Sequence, residues 1–277
     1  MNSSGTDTRF AGSIPQLYDS QLVPMIFATY AADLARRVAA RAPSRVLETA
    51  AGTGAVTRAM ALVLPVDTEI VATDLNQPML DRAAATGTAR PVTWQLADAA
   101  SLPFDDASFD VVVCQFGAMF FPDKPRAFAE ARRVLRRGGM LLFNVWDRIE
   151  ENEFADTVTT ALAGLFPSDP PRFMARTPHG YFDRQVIARD LADAGFSAPP
   201  SFETIAARSR AASAREVALA YCQGTPLRND VEARAGASLE EATTAAGNAL
   251  AQRFGSEALD GKIQAHVIAV ARDHASR

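Results

Sequence analysis

The ten residues Arg45-Val46-Leu47-Glu48-Thr49-Ala50-Ala51-Gly52-Thr53-Gly54 constrain the fold of this chain more than any other stretch. A short apolar run ends in an acid, and a turn of small residues follows. Gly52 and Gly54 have no side chain to keep a ligand off the backbone, and residues 55–64 are good helix formers that would start at the loop. The order predicts strand, ligand-accepting turn and helix; a plain tight strand-to-helix turn is the alternative.

The spacing narrows the ligand. A dinucleotide fingerprint needs G-x-G-x-x-G, whereas Gly52-x-Gly54 is followed by Thr57 at the third position, and Glu48 sits where a pyrophosphate would be repelled. An acid there suits a cation, such as the ammonium of the methionine part of S-adenosylmethionine. Glu69-Ile70-Val71-Ala72-Thr73-Asp74 is a second β-branched run ending in an acid, about 20 residues after the glycines, where α/β folds place a carboxylate on ribose hydroxyls. Asp98 closes a third run, Val92 to Ala97, and Phe109-Asp110-Val111-Val112-Val113-Cys114 is continuous enough to be a buried parallel strand. Successive acids at strand ends point to one crevice at the carboxyl edge of a sheet.

With these motifs the chain resembles the class I S-adenosylmethionine-dependent methyltransferases, in particular the branch that includes the ubiquinone/menaquinone biosynthesis methyltransferases. The resemblance covers residues 40–147 closely and the rest loosely. Besides the loop it is carried by Asp98 with Leu102-Pro103-Phe104, Phe109-Asp110-Val111-Val112, Phe121-Pro122-Asp123, Glu130, and Arg133-Val134-Leu135-Arg136-Arg137-Gly138-Gly139. It implies S-adenosylmethionine as cofactor and a Rossmann-like, doubly wound seven-stranded sheet, mostly parallel with one antiparallel strand, plus N-terminal helices and a C-terminal helical insertion.

The resemblance also implies roles. Glu48, Gly52, Thr53 and Gly54 would form the loop at the methionine end, Asp74 would take the ribose hydroxyls, Leu75 the adenine face, and Asp98 and the Ala99 N–H the adenine edge. Gln115 and Phe116 would follow the fourth strand beside the sulfonium. One departure is visible: the family usually has Gly where this chain has Ala50.

The 277 residues and 48% hydrophobic content are ample for one large domain, 1–277, with accessory segments. A net charge of −4 without a basic stripe argues against a nucleic-acid partner. Arg132, Arg133, Arg136 and Arg137 cluster, but at an expected helix end, where cations suit the dipole and water. No apolar run is long enough to span a bilayer, and the polar start lacks a signal-peptide pattern, so a cytoplasmic enzyme is expected. Cys114 and Cys222 have no metal-ligand spacing around them and read as buried apolar residues; no metal is expected.

Outside the core, residues 14–40 read as a helix, and residues 1–42 as a helical cover near the site entrance. Strand five is expected at 140–146, a helix at 153–166, a Pro-rich loop at 167–178 and a helix at 184–194 that Gly195 ends. Residues 201–207 and 264–271 suit a pair of antiparallel strands. Between them, 213–262 is too long for a loop and is read as a helical insertion, with helices at 214–221 and 239–254, lying over the substrate pocket or at a subunit interface such as that of a homodimer.

Methyl transfer from a sulfonium asks mainly for alignment and exclusion of water, so a small, partly apolar methyl acceptor needs few protein groups. The catalytic residues stay unknown. His179 is a weak candidate base in the loop Thr177-Pro178-His179-Gly180-Tyr181, while His266 falls in an expected strand and His274 in the tail. Tyr18, Phe116, Phe120 and Trp146 are the candidates for lining an acceptor pocket. A nicotinamide-dependent oxidoreductase, disfavoured by the missing third glycine and by Glu48, and a non-catalytic S-adenosylmethionine-binding protein are the alternatives.

Overall fold

A computed structural model describes residues 7–273. Seven strands form one sheet: β1 Arg45–Glu48, β2 Glu69–Asp74, β3 Thr93–Leu96, β4 Phe109–Gln115, β5 Leu135–Trp146, β6 Ser201–Ser213 and β7 Glu257–Ala271, in the order β3-β2-β1-β4-β5-β7-β6. The first five pair in parallel. Strand β7 runs the other way. The Gly138 N–H donates to Arg272 O (2.7 Å) at the start of β5, and the Asp147 N–H donates to Gln264 O (3.0 Å) at its end. The expected mixed sheet is therefore present, and its strand order reverses between β1 and β4, where open α/β sheets leave a crevice at the carboxyl edge.

The chain separates into two compact units. One comprises Ala28–Val145, Tyr181–Thr204 and the chain from 266 onward. Here α2 (Ala28–Ala39) packs on α3 (Ala55–Val63), α4 (Gln77–Thr86) packs on β2 and β3, and α5 (Lys124–Val134) packs on α8 (Arg184–Asp193). Asp123 caps α5 by accepting the Arg126 N–H at 3.0 Å, and Asp183 caps α8 by accepting the Gln185 N–H at 2.8 Å. The other comprises the chain up to Phe27, Trp146–Gly180 and Ile205–Ala265. In it α9 (Ala214–Gln223) packs on α11 (Leu239–Phe254), which Ser238 and Glu241 start as a capping box, and α11 packs on α6 (Glu153–Leu165). The boundary falls inside the segment 1–42, between Phe27 and Ala28.

Several boundaries differ from the sequence reading. The helix expected over 14–40 is three pieces: α1 (Ile14–Leu17), a π-helical stretch Tyr18–Phe27, and α2. Pro24 lies inside the π-helical stretch and offers no N–H, so a regular α-helix cannot run through it. Strand β5 starts at Leu135, so Arg136 and Arg137 lie in a strand and not on a helix end. Its pairing jumps from Phe109↔Leu135 to Val111↔Met140, a bulge that absorbs the extra residues with Gly138 at φ +75°. Strands β6 and β7 are longer than expected because their outer halves are polar. Arg208 and Arg210 both pair with Asp260, at 2.5 and 3.0 Å. The helical part of the insertion accordingly runs from 214 to 254, and it includes α10 (Leu227–Glu232). The Pro-rich loop 167–178 contains α7 (Phe173–Arg176), where the Asp230 carboxylate accepts the N–H groups of Arg172 and Phe173, both at 2.9 Å. His266 lies in β7, as read, and His274 is outside the described residues.

Candidate active site

The carboxyl ends of β1, β2 and β4 bring the glycine loop, Asp74 and Gln115 to one edge. Pairing fixes this: Glu48 is opposite Ala72 and Val113, and Asp74 is opposite Leu96. The loop is held to its neighbours by backbone bonds, Thr49 N–H to Val113 O (2.9 Å) and Ala51 N–H to Thr73 O (2.8 Å). Gly52 and Gly54 sit at φ +56° and +83°. A side chain at Gly54 would bring its Cβ within 2.7 Å of the Trp94 ring, so packing as well as ligand access demands glycine there.

Asp74 is 7% exposed. One of its oxygens accepts the Gly52 N–H (2.8 Å) and the other the Asn76 N–H (2.8 Å), so the acid that would take the ribose also ties down the loop. Burial raises its pKa, and these hydrogen bonds work against that rise. The oxygen bound to Asn76 N–H also accepts the Asn76 side-chain amide (3.3 Å), so the oxygen that takes the Gly52 N–H is the one with a second lone pair for a hydroxyl. Leu75, the next residue, is 58% exposed, an apolar face open beside a buried acid.

Glu48 is buried, and its Oε2 accepts the Thr57 hydroxyl at 2.5 Å. Burial pushes its carboxyl up to about 8, against the pull of the Thr57 hydrogen bond and of Arg58. The free protein therefore holds this carboxyl protonated at neutral pH, and a cation drawn alongside favours the ionised form.

Asp98 is exposed, and its Oδ1 accepts the Ala100 N–H at 2.8 Å. The motif residues downstream explain how that loop is held. The Arg133 guanidinium donates to Leu102 O (2.9 Å), Phe104 O (2.7 Å), Asp106 (2.8 Å) and Glu130 (2.7 and 2.8 Å), while Glu130 accepts the Leu102 N–H (2.8 Å). Arg133 is thus a clamp rather than a solvated helix-end cation, and Arg136 pairs with Asp110 at 2.6 Å.

Phe116 follows Gln115 at φ +49°, a conformation a bulky residue adopts only under constraint. Asn144 supplies it: its Oδ1 accepts the Phe116 N–H at 2.9 Å, and the Phe116 ring meets the edge of Tyr30 at 5.4 Å. The sequence reading missed Asn144; a buried amide at a strand end was the available signal. Ala50 also takes a positive φ, +52°. Its methyl group fits because position 117 is glycine, whose added Cβ would lie 2.5 Å from it. The departure at Ala50 is matched by Gly117.

Three polar atoms at this edge are buried with no hydrogen-bond partner, Thr53 Oγ1, Gln115 Oε1 and Asn144 Nδ2. An ammonium supplies donors and a carboxylate supplies acceptors, so the methionine end of S-adenosylmethionine fits this set. Ala99, between Asp98 and Ala100, is half-buried.

The residues expected to line the acceptor pocket fall in both units. Phe116 and the half-buried Phe120 belong to the unit with the glycine loop. In the other unit Tyr18 stacks on Phe27 (5.0 Å), Phe27 packs on Trp146 (5.9 Å), and Trp146 on His179 (6.0 Å). His179 is 5% exposed with Nδ1 2.9 Å from Asp147 O, and burial pushes its pKa down to about 4. It is neutral at pH 7, a weak base held by a backbone carbonyl. Cys114 and Cys222 are both buried, and burial pushes each thiol up to about 12. No group of residues suited to a metal ion occurs among the described residues.

A methyltransferase-domain family model matches residues 47–143, the span of the loop, the strand-end acids and the Arg133 clamp. The chain is 31% identical over 182 residues to the ubiquinone/menaquinone biosynthesis C-methyltransferase UbiE of Ralstonia pickettii, covering 61% of this chain and 74% of that one. With the UbiE protein of Ectopseudomonas mendocina it shares 32% over 169 residues, 56% of this chain and 66% of that one. The chain belongs to the class I S-adenosylmethionine-dependent methyltransferases. Among solved structures, the YcgJ protein of Bacillus subtilis superposes with a TM-score of 0.55 at 19% identity, covering 88% or more of each chain (89% here, 99% there). The [4+2]-cyclase SpnF superposes with a TM-score of 0.51 at 19% identity, over 88% of this chain and 82% of that one. The fold alone therefore does not fix the reaction.

Proposed function

We propose that this protein transfers a methyl group from S-adenosylmethionine to a small, partly apolar acceptor, with a hydroquinone-like aromatic ring as the leading class. The observation that carries the cofactor assignment is Asp74, a buried carboxylate already oriented by Gly52 and Asn76, beside the open face of Leu75. The acceptor class rests on the names of the UbiE relatives and on the aromatic residues Phe116 and Phe120 in the unit that carries the glycine loop.

When bound, the cofactor would supply an activated methyl group, the acceptor's electron pair taking the methyl carbon while the carbon–sulfur pair stayed on sulfur and the acceptor's proton went to water. The chain's own residues bind and orient. Asp74 would hold the ribose hydroxyls; Leu75 would face the adenine, and Asp98 with the Ala99 N–H its edge. Thr53, Gly54, Gln115 and Glu48 would meet the methionine end. Phe116, fixed by Asn144, would present its ring at the transfer point. No strong base is needed for a phenolic acceptor that ionises on its own, which agrees with the low basicity of His179.

The test is calorimetric titration of S-adenosylmethionine against NAD, followed by incubation with 1,4-naphthohydroquinone and mass spectrometry for the gain of one CH2. Asp74→Ala should weaken S-adenosylmethionine about ten- to a hundredfold, the loss of hydrogen bonds to a charged acceptor. NAD binding in place of S-adenosylmethionine, or undiminished affinity in the variant, would overturn the cofactor assignment.

A further inference from the structure

At the amino ends of β1, β4 and β5, the opposite strand ends from the glycine loop, residues 41–44, 110–111 and 136–139 line a cleft of about 320 Å³. All of them belong to one unit. The volume is at the lower end of the range of small-molecule sites. Three arginines line it, Arg41, Arg136 and Arg137, against a single acid, Asp110.

That acid is fully engaged. Its Oδ2 accepts the Ser44 N–H (2.9 Å), the Ser44 hydroxyl (2.7 Å) and the Arg45 N–H (2.9 Å), and its Oδ1 accepts from Arg136 (2.6 Å). Asp110 and Arg136 therefore cancel. Arg41 and Arg137 are both exposed, and neither side chain has a hydrogen bond or ion pair among the described residues. Two accessible cations are thus left unbalanced in one cleft, in a chain whose net charge is −4. Their neighbourhood adds to the surplus. Arg272, whose backbone pairs with Gly138 (2.7 Å) and Gly139 (2.8 Å), has its guanidinium pKa lowered by burial and by the like charges of Arg132 and Arg137, against a smaller pull from Asp106.

Guanidinium forks match phosphate oxygens, and a phosphate monoester carries close to two negative charges at neutral pH, which balances the surplus. None of the large apolar side chains exposed on the described residues lines the cleft, so nothing beside it would enter a bilayer. We propose that this cleft binds a small soluble phosphate monoester, its phosphoryl oxygens taken by Arg41 and Arg137. Because the site shares no residue with the cofactor assignment, the two stand or fall separately.

The test is calorimetric titration of the full chain with glycerol 3-phosphate and with glycerol at low ionic strength, each with and without S-adenosylmethionine. Glycerol 3-phosphate should bind and glycerol should not, and the affinity should stay within about twofold when S-adenosylmethionine is present. Arg41→Gln and Arg137→Gln should each weaken the ester about tenfold, the loss of one charge-assisted hydrogen bond, and the double variant should abolish binding. Arg189→Gln removes the same charge from an exposed position on α8 outside the cleft and should change the affinity less than twofold. No binding to the unaltered protein, or a loss in Arg189→Gln equal to that in the cleft variants, would overturn the proposal. So would competition by S-adenosylmethionine, or binding to phosphatidate-containing vesicles without binding to the free ester.

Discussion

Replacing Glu48 by glutamine should make the protein more stable, by an amount that grows with pH. The carboxyl is 1% exposed, and burial moves it from an ordinary 4.5 up to about 8. The folded state thus keeps a proton that the unfolded chain releases above pH 4.5. Its contribution is full below that value and is lost as pH rises through 8. Over those three and a half pH units, at about 1.4 kcal/mol each, the loss comes to about 5 kcal/mol. Glutamine keeps the shape and can still accept the Thr57 hydroxyl, but it does not titrate. Urea unfolding of both proteins between pH 5 and 9 should show a small gap at the acid end, widening by about 1.4 kcal/mol per pH unit and levelling off above 8. For a chain of this size, that corresponds to a melting-temperature difference on the order of 10 °C at the alkaline end. A gap that stays constant with pH, or a wild-type protein that gains on the variant as pH rises, would refute the buried-proton account.

Gly52→Val should abolish S-adenosylmethionine binding while the protein stays folded: its Cβ would meet only Met79 Cε, at 3.6 Å, so the cost is the φ of +56°, about 1–2 kcal/mol for an L-residue. Retained affinity would detach the loop from the site. Gly117→Ala should destabilise by about 1–3 kcal/mol through its approach to Ala50 and to Cys114 Sγ, and Ala50→Gly should restore part of that loss in the double variant; strictly additive effects in a denaturant-unfolding cycle would contradict the pairing. Arg133→Ala should lower stability by about 2–4 kcal/mol and weaken cofactor binding with no contact to the cofactor, and Arg133→Lys should recover only part because a point charge cannot fill the fork. Calorimetry showing full affinity in Arg133→Ala would mean that the 98–106 loop does not need its clamp.

What could be read from the sequence was the part governed by local rules. The strand–acid–loop order around Glu48 and the acid ending β2 depend on neighbours in sequence, and the structure has them at one sheet edge. Where partners lie far apart in sequence, the reading stopped short. Arg136 looked like a helix-end cation because its partner Asp110 is in another strand, and the outer halves of β6 and β7 looked too polar to be strands because Arg208 and Arg210 of one meet Asp260 of the other only once the two strands lie side by side. Asn144 offered only an amide at the end of an apolar strand, since its role is fixed by the backbone N–H of Phe116, 28 residues away.

The double engagement of Asp74 limits how this enzyme can be re-engineered. Because the carboxylate that would grip the ribose also fastens the Gly52 amide, any substitution meant to admit a cofactor analogue with an altered sugar would loosen the loop in the same stroke. Retargeting must begin elsewhere, at the open Leu75 or the exposed Asp98, where adenine variants could be accommodated with the loop's anchor left intact.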